Sequence, residues 1–400
     1  MCHGHHRVIS RVRIKNYKSI ASCDVRLGPL TILVGPNGVG KSNFLDALSL
    51  LARALGTTPN EAISSRGGIA EIVCRVPVPT DSFSIAVDVN LPWGVKAKTT
   101  AYASYMFEVA RKPAGGPNAF EIMHEECELR RSGQVFWRFR VGGGHVLDET
   151  RDPQDAEIPP DRLYLQQTFN FEPLFRRLQE MRFYNFSLDV LRKPQQRSSN
   201  AILDSRGEYP PDVLGALRAE GAGYKERVDD YLRAIMPDAV GIDQWLVGGT
   251  PFTTVMLRFL TGYGGREKVF GPDGISDGTI RAAAVLAALF QPAVRNGQLN
   301  LIGIEEPEIA LHPAAAGVLF DALSEASEYV QVIAATQSAD LLDREDLDAS
   351  LVRAVTMRDG LTIIGEIDDA SREIAGKKLH TLGELMRGDQ FVPKTSDDQS

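Results

Sequence analysis

The sequence predicts an α/β fold: a P-loop NTPase with a mixed, largely parallel central sheet, carrying an antiparallel β lobe and an inserted helical lobe. Three observations predict it. The run Gly35-Pro36-Asn37-Gly38-Val39-Gly40-Lys41-Ser42 stands between a β-type segment at 30–34 and a helical repeat of Phe44, Leu45, Leu48, Leu51, Ala52 and Leu55. From Thr253 onward, β runs at 255–260, 301–304 and 331–334 alternate with helical runs at 280–290 and 314–326, the pattern of a parallel sheet. The apolar run Leu301-Ile302-Gly303-Ile304 ends in Glu305-Glu306-Pro307-Glu308, which sets carboxylates at the carboxyl edge of a central strand.

The elements follow in order. At the start, Val8, Ser10, Val12 and Ile14 share one face of an alternating segment, and 25–27 and 30–34 are short β runs, so a sheet begins here that the second half is expected to complete. Residues 1–68 then form the first part of the nucleotide-binding domain. Over 69–147 the period becomes two, with Phe83, Ile85, Val87, Val89 and Leu91 alternating with Ser84, Ala86, Asp88 and Asn90, which predicts the antiparallel lobe. Leu174, Leu178 and Met181, then Val213, Leu214 and Leu217, then Val228, Tyr231 and Leu232 recur at helical spacing and place a helical lobe at 148–250. Residues 251–345 hold the second part of the nucleotide-binding domain. A closing hairpin turning at Asp359-Gly360 and a short helix at 382–386 fall within 346–392, and 393–400 reads as a loose tail.

Composition narrows the classes. A net charge of −8 excludes a chain coated in basic residues, so any nucleic-acid contact is local. Cys2, Cys23, Cys74 and Cys127 are scattered without a C-x-x-C pair, which fits free thiols in a reducing cytoplasm. No apolar run reaches the roughly 18–20 residues of a membrane span, and Met1-Cys2-His3-Gly4-His5-His6 has no signal-peptide core. That Cys/His-rich start is a possible metal ligand set, but flexible tips are more often simply disordered.

The glycine loop points to phosphate chemistry. A di- or triphosphate needs many donors at short range, and Gly35, Gly38 and Gly40 let backbone N–H groups approach it. Lys41 supplies a point charge for the β- and γ-phosphates, and Ser42 a hydroxyl for Mg²⁺. Glu305 is assigned to the Mg²⁺ shell, directly or through water, and Glu306 to polarising the attacking water as general base, with Lys41 also in the catalytic set. Glu308 is within reach of the site but reads first as structural. Taken singly, the loop is also readable as a glycine turn and the acidic run as a solvated strand end; their pairing favours catalysis.

With both motifs in hand, the chain resembles the ABC-type ATPases of the RecF, SMC and overcoming-lysogenization-defect (OLD) group. The resemblance rests on Ile14-Lys15-Asn16-Tyr17-Lys18-Ser19-Ile20, on 35–42 followed by Asn43-Phe44-Leu45-Asp46-Ala47, and on Ile304-Glu305-Glu306-Pro307-Glu308. Ser276-Asp277-Gly278-Thr279-Ile280-Arg281 resembles the group's signature. The resemblance implies ATP and Mg²⁺ as cofactors. It also implies a homodimer, or a larger oligomer, in which ATP is held between Gly35, Pro36, Asn37, Gly38, Val39, Gly40, Lys41, Ser42 and Asn43 of one copy and Ser276, Asp277 and Gly278 of another, head to tail. Read without the family, 276–279 is a turn and an N-cap.

Further roles carried over are narrower. Gln337, in Ala335-Thr336-Gln337-Ser338, stands where the group usually has a switch histidine; it joins the catalytic set as a donor to the γ-phosphate or an orienter of water, although a Gln cannot carry a proton. Gln166 or Gln167 is the candidate for the metal-contacting glutamine, Gln167 being taken as the ligand. Arg66 stands where relatives carry an arginine facing DNA or nucleotide, or is solvated. Pro307, Ala310, Leu311, His312 and Pro313 occupy the segment that contacts the opposite subunit in such dimers, and His312 reads as a packed or capping residue before it reads as a contact across the dimer. Arg176, Arg177, Arg182, Arg192 and Lys193, interleaved with Phe175, Phe183, Tyr184 and Phe186, either track a phosphate backbone or edge an amphipathic helix. About 55 residues follow Asp343, too few for the Toprim nuclease domain of OLD proteins, and no heptads of an SMC coiled coil occur. The expected product is therefore a cytoplasmic ATPase switch, apart from membranes, that controls a separate effector such as a nuclease, or a DNA transaction, in phage defence or DNA repair. A transporter's ATPase subunit and a non-catalytic ATP-binding scaffold are the alternatives.

Overall fold

The structure is a computed structural model and describes residues 8–93, 99–112, 116, 118–150, 158–159, 162–198, 202–221, 223–261, 265–388 and 390–394. The Cys/His start and most of the expected tail lie outside the described residues.

In chain order the elements are β1 (Ile9–Tyr17), β2 (Ile20–Arg26), β3 (Leu30–Val34), α1 (Lys41–Gly56), α2 (Pro59–Ser64) and α3 (Ile69–Ile72). Then come β4 (Ser82–Trp93), β5 (Thr99–Arg111), β6 (Phe120–Arg131), β7 (Gln134–Gly142) and β8 (His145–Glu149). The middle holds α4 (Glu172–Gln179), β9 (Met181–Tyr184), α5 (Leu188–Leu191), β10 (Gln195–Gln196), α6 (Pro210–Glu220), α7 (Tyr224–Ile235), β11 (Ala239–Leu246), β12 (Phe252–Thr261) and β13 (Arg266–Phe270). The chain closes with α8 (Asp277–Phe290), α9 (Pro292–Arg295), β14 (Leu301–Glu305), α10 (Ala316–Ala326), β15 (Gln331–Thr336), β16 (Val352–Arg358), β17 (Leu361–Glu366), α11 (Asp369–Gly376) and α12 (Leu382–Arg387).

The central sheet has six strands in the order β17-β16-β3-β15-β14-β9, all parallel except β17. Its inner strands β3, β14 and β15 are buried on both faces, so alternate residues fill two different cores. Leu33, Leu301, Ile333 and Ala335 join the core shared with α1 and the antiparallel lobe. Ile32, Val34, Ile302, Ile304, Val332 and Ala334 join the core built on α8 and α10. Helix α8 is buried almost all round, which its Ala-rich sequence permits by allowing close approach. The final hairpin turns at Asp359 and Gly360, with φ of 53° and 78°, as a two-residue turn requires.

Two expectations about strand membership are corrected. Strands β1 and β2 belong to a seven-stranded antiparallel sheet, order β2-β1-β4-β5-β6-β7-β8, and not to the central sheet. Alternation decides it: β1 and β2 keep polar residues on one face, as an antiparallel sheet with a solvent side allows, whereas β3 is buried at all five positions. The run 255–260 lies in β12, inside a small antiparallel sheet with β10, β11 and β13, because short connections join it to both β11 and β13. The expected helical lobe also contributes β9, which pairs in parallel with β14 as an edge of the central sheet.

One buried acid ties the antiparallel sheet to the following segment. Glu125 on β6 accepts from the Tyr105 hydroxyl at 2.9 Å, the Tyr164 N–H at 2.6 Å and the Leu165 N–H at 2.9 Å. Burial outweighs these three donors and pushes its pKa up to about 7 from an ordinary 4.5. The folded chain thus holds a proton to about pH 7 that the unfolded chain releases near 4.5, so stability falls as pH rises across that window. Melting curves from pH 5 to 8 should show this decline, and Glu125→Gln should flatten it.

Candidate nucleotide site

The glycine loop joins β3 to α1, and its glycines are required by contact and conformation. A Cβ on Gly35 would lie 2.0 Å from the Val355 carbonyl oxygen, so the loop leaves the sheet flush against β16. Gly40 has φ of 101° and a Cβ there would lie 2.0 Å from Thr362 Oγ1. A relay of hydrogen bonds holds the loop from behind. Asn43 Nδ2 donates to Ser19 Oγ at 2.7 Å, Ser19 Oγ meets Thr362 Oγ1 at 2.6 Å, and Thr362 Oγ1 donates to the Val39 carbonyl at 2.8 Å. Lys41 folds back on the loop, its Nζ donating to the carbonyls of Gly35 at 2.7 Å and Pro36 at 2.8 Å. Burial lowers its pKa, opposed by the charges of Glu306, Glu308 and Glu305. With α1 starting at Lys41, the helix N-terminus adds its own preference for an anion.

The acidic strand end faces this loop. Glu305 closes β14 in register with Ala335, and its Oε2 accepts from Ser42 Oγ at 2.7 Å. The chain then turns sharply: Glu306 has φ of 44°, a left-handed conformation unusual for a residue with a side chain, and its N–H donates to the Ala335 carbonyl at 2.7 Å. Burial raises the pKa of Glu305. Between the loop and these carboxylates lies a cavity of about 140 Å³, with Asn37, Gly38 and Lys41 on one side and Glu305, Glu306 and Ala335 on the other. The hard oxygen donors Ser42 and Glu305, 2.7 Å apart, fit a Mg²⁺ that takes its remaining ligands from phosphate and water.

Other candidates are placed elsewhere. Ser276 caps α8, its Oγ accepting from the Thr279 N–H at 3.3 Å, and both Ser276 and Asp277 are exposed. Arg192 holds Asp277 Oδ1 at 2.5 Å and the Ile275 carbonyl at 2.9 Å. Gly278 lies where a Cβ would meet the Ala310 carbonyl at 2.1 Å. None of Ser276, Asp277 and Gly278 lines the cavity of its own chain. Gln337 is exposed, just past the end of β15.

The expectation for Gln167 is corrected, since 166–167 is not brought to the loop. Gln166 Nε2 donates to the carbonyls of Leu55 at 2.9 Å and Thr57 at 3.1 Å, at the far end of α1. At a rise of ~1.5 Å per residue, Leu55 and Thr57 lie about 20–23 Å along the helix from Ser42. The side chain that does reach is Asn185, directly after β9, whose Nδ2 lies 3.4 Å from Glu305 Oε2. Reading 181–184 as a strand beside 301–304 would have pointed to it.

Arg66 neither faces solvent nor the cavity: it donates to Asp46 Oδ1 at 2.7 Å and the Ala62 carbonyl at 2.8 Å. Asp46, which also accepts from the Tyr17 hydroxyl at 2.7 Å and Lys18 Nζ at 2.5 Å, is a junction that pattern reading did not reveal. His312 caps a turn, its Nδ1 accepting from the Ala314 N–H at 3.2 Å. Three of the basic residues in the basic, aromatic stretch have local duties. Arg176 pairs with Glu172, Arg182 bonds the carbonyls of Gln179 and Met181 at 3.0 Å, and Arg192 holds the signature turn.

A phosphate loop closed by a helix N-terminus, facing an acidic strand end across a parallel sheet, defines a P-loop ATPase of the ABC type. The chain belongs to the family described as "AAA domain, putative AbiEii toxin, Type IV TA system", whose model matches residues 107–343; residues 8–86 match the family described as "AAA ATPase domain". It is similar to the OLD nuclease of Thermus scotoductus, with 43% identity over 359 residues, 86% of this chain and 61% of that protein. The chain thus spans about three fifths of that relative's length. It also resembles the DNA replication and repair protein RecF of Vibrio cholerae, 30% identical over 91 residues, 20% of this chain and 24% of RecF. Among solved structures, an Smc head bound to the C-winged helix domain of ScpA superposes with a TM-score of 0.54 at 14% identity, covering 89% of this chain and 96% of that one. The Pyrococcus furiosus Smc head with an extended coiled coil, bound to the C-terminal domain of ScpA, gives 0.52 at 12% identity, covering 93% and 99%. At such identities the likeness concerns fold.

Proposed function

We propose that this ATPase is a switch in which two copies close head to tail around ATP and Mg²⁺, and that closure controls a nuclease effector or a DNA transaction such as defence against phage or repair. The observation that carries the reading is the division of the signature from the cradle. Ser276 and Asp277 stand exposed at the N-terminus of a 14-residue helix, outside the cavity formed by their own chain, and so are available to a nucleotide held by another copy. Bound Mg²⁺ would neutralise developing phosphate charge. Ser42 and Glu305 would hold it and Asn185 would orient Glu305 or a ligand water in place of Gln167, while Lys41 would leave the loop carbonyls for the phosphates and Glu306 would take the proton of the attacking water.

Subunit mixing tests the composite site. Lys41→Ala disables one chain's cradle and Ser276→Ala the other chain's signature, so a mixed dimer holds one intact site of two. Equal mixing should restore roughly a quarter of parental ATPase activity if dimers form at random; no restoration contradicts the head-to-tail arrangement. Asn185→Ala should raise the Mg²⁺ concentration for half-maximal turnover by about 10- to 100-fold. An unchanged Mg²⁺ titration would remove Asn185 from the metal's surroundings. DNA as a partner predicts ATPase stimulation that falls steeply with salt.

A further inference from the structure

Within the site just proposed, one buried acid still lacks a role. Glu308 is only 9% exposed. Its Oε1 accepts a hydrogen bond from the Thr336 hydroxyl, and that hydroxyl oxygen also accepts from the Ser338 N–H at 2.9 Å. Its other oxygen, Oε2, is buried with no hydrogen-bond partner among the described residues. Stranding a carboxylate oxygen in this way is unfavourable, so packing alone does not account for an acid here.

The two segments that Glu308 joins are the ones nearest the chemistry. Glu306, Glu308 and Ala310 lie in one tight turn, in which the Ile309 N–H donates to the Glu306 carbonyl at 3.1 Å and the Leu311 N–H to the Glu308 carbonyl at 3.0 Å. Thr336 ends β15, and the exposed Gln337 follows it immediately. The Glu308 carboxyl therefore cross-links the turn that carries Glu306 to the loop that carries Gln337. Its charge also acts on Lys41.

We propose that Glu308 is a positioning residue for ATP hydrolysis. Through Thr336 it locks the Glu306 turn to the 337–338 loop, so that base and switch side chain reach the γ-phosphate as one unit. Its open Oε2 accepts a donor from that loop when nucleotide draws the loop inward. The inference rests on the assignment of Glu306 above.

Single-turnover hydrolysis and nucleotide binding, measured on the same samples, test it. Glu308→Ala and Thr336→Val should each lower the turnover rate by about 100-fold, a geometric misplacement, while ATP affinity and melting temperature stay near those of the parent. The double variant should be no slower than either single one, since both break one link. Glu308→Gln, whose amide oxygen can still accept from Thr336, should recover most of the rate. Additive losses, a Glu308→Gln variant as slow as Glu308→Ala, or affinity and melting temperature falling in step with the rate would each overturn the proposal. If Glu306→Gln fails to slow the parent, the site reading falls and takes this inference with it. If Glu306→Gln silences the enzyme while Glu308→Ala does not, this inference alone is overturned.

Discussion

Glu306→Gln should lower the rate of ATP hydrolysis by about 100- to 10,000-fold, the range over which a positioned general base acts, and leave ATP affinity nearly unchanged. The substitution keeps size and hydrogen-bonding capacity and removes only the ability to take a proton. No neighbour is placed to compensate. Glu305 is engaged by Ser42 and Asn185, Glu308 is buried against Thr336, and Gln337 has no basic site at neutral pH. The positive φ of Glu306 also predicts that its side chain is aimed by the turn rather than by a partner, so Glu306→Gln should fold as the parent does. A single-turnover assay showing less than a tenfold loss would move the base elsewhere.

Lys41→Ala should abolish tight nucleotide binding. Each charge-assisted bond from Nζ to a phosphate oxygen contributes about 1.5–3 kcal/mol, so losing even one weakens binding roughly 10- to 150-fold. In the structure two of that ammonium's three N–H groups are taken by the carbonyls of Gly35 and Pro36, which hold it ready at the loop, while burial lowers its pKa and the three nearby glutamates oppose the shift. Phosphate therefore replaces carbonyls rather than water as its partner, which limits the desolvation cost of binding. Equilibrium binding of a fluorescent ATP analogue at fixed Mg²⁺ measures the loss. An affinity within threefold of the parent would mean that Lys41 stays on the loop carbonyls when nucleotide binds.

What the sequence made legible, and what it hid, divide along physical lines. The fold class was readable because the loop, the apolar strands 30–34 and 301–304 and the helix after Ser42 each state their environment locally. Lys41, Ser42, Glu305 and Glu306 were readable as one group because the carboxyl ends of parallel strands converge at a single edge. Asn185 was hidden because a four-residue strand, Met181–Tyr184, carries too little pattern to be told from the helical runs around it. Gln167 was preferred on motif analogy alone, and no periodicity in 163–167 told which end of α1 that segment would meet. The alternation of β1 and β2 marks them as half-solvated strands, but the sheet they join is set by the pairing of β1 with β4, about 70–80 residues away in sequence, and the choice of partner leaves no local trace. Arg66 and Asp46 likewise meet only through the tertiary fold.

The central claim is that ATP closes two copies around a shared site. Multi-angle light scattering of Glu306→Gln, which should bind ATP without consuming it, measures this directly. With ATP and Mg²⁺ the mass should shift from that of the 43.8 kDa chain, or of its resting assembly, to a state with two copies per closed unit; Lys41→Ala under the same conditions should not shift. A Glu306→Gln chain that binds ATP fully and keeps one unchanged mass, with and without nucleotide, would contradict the account.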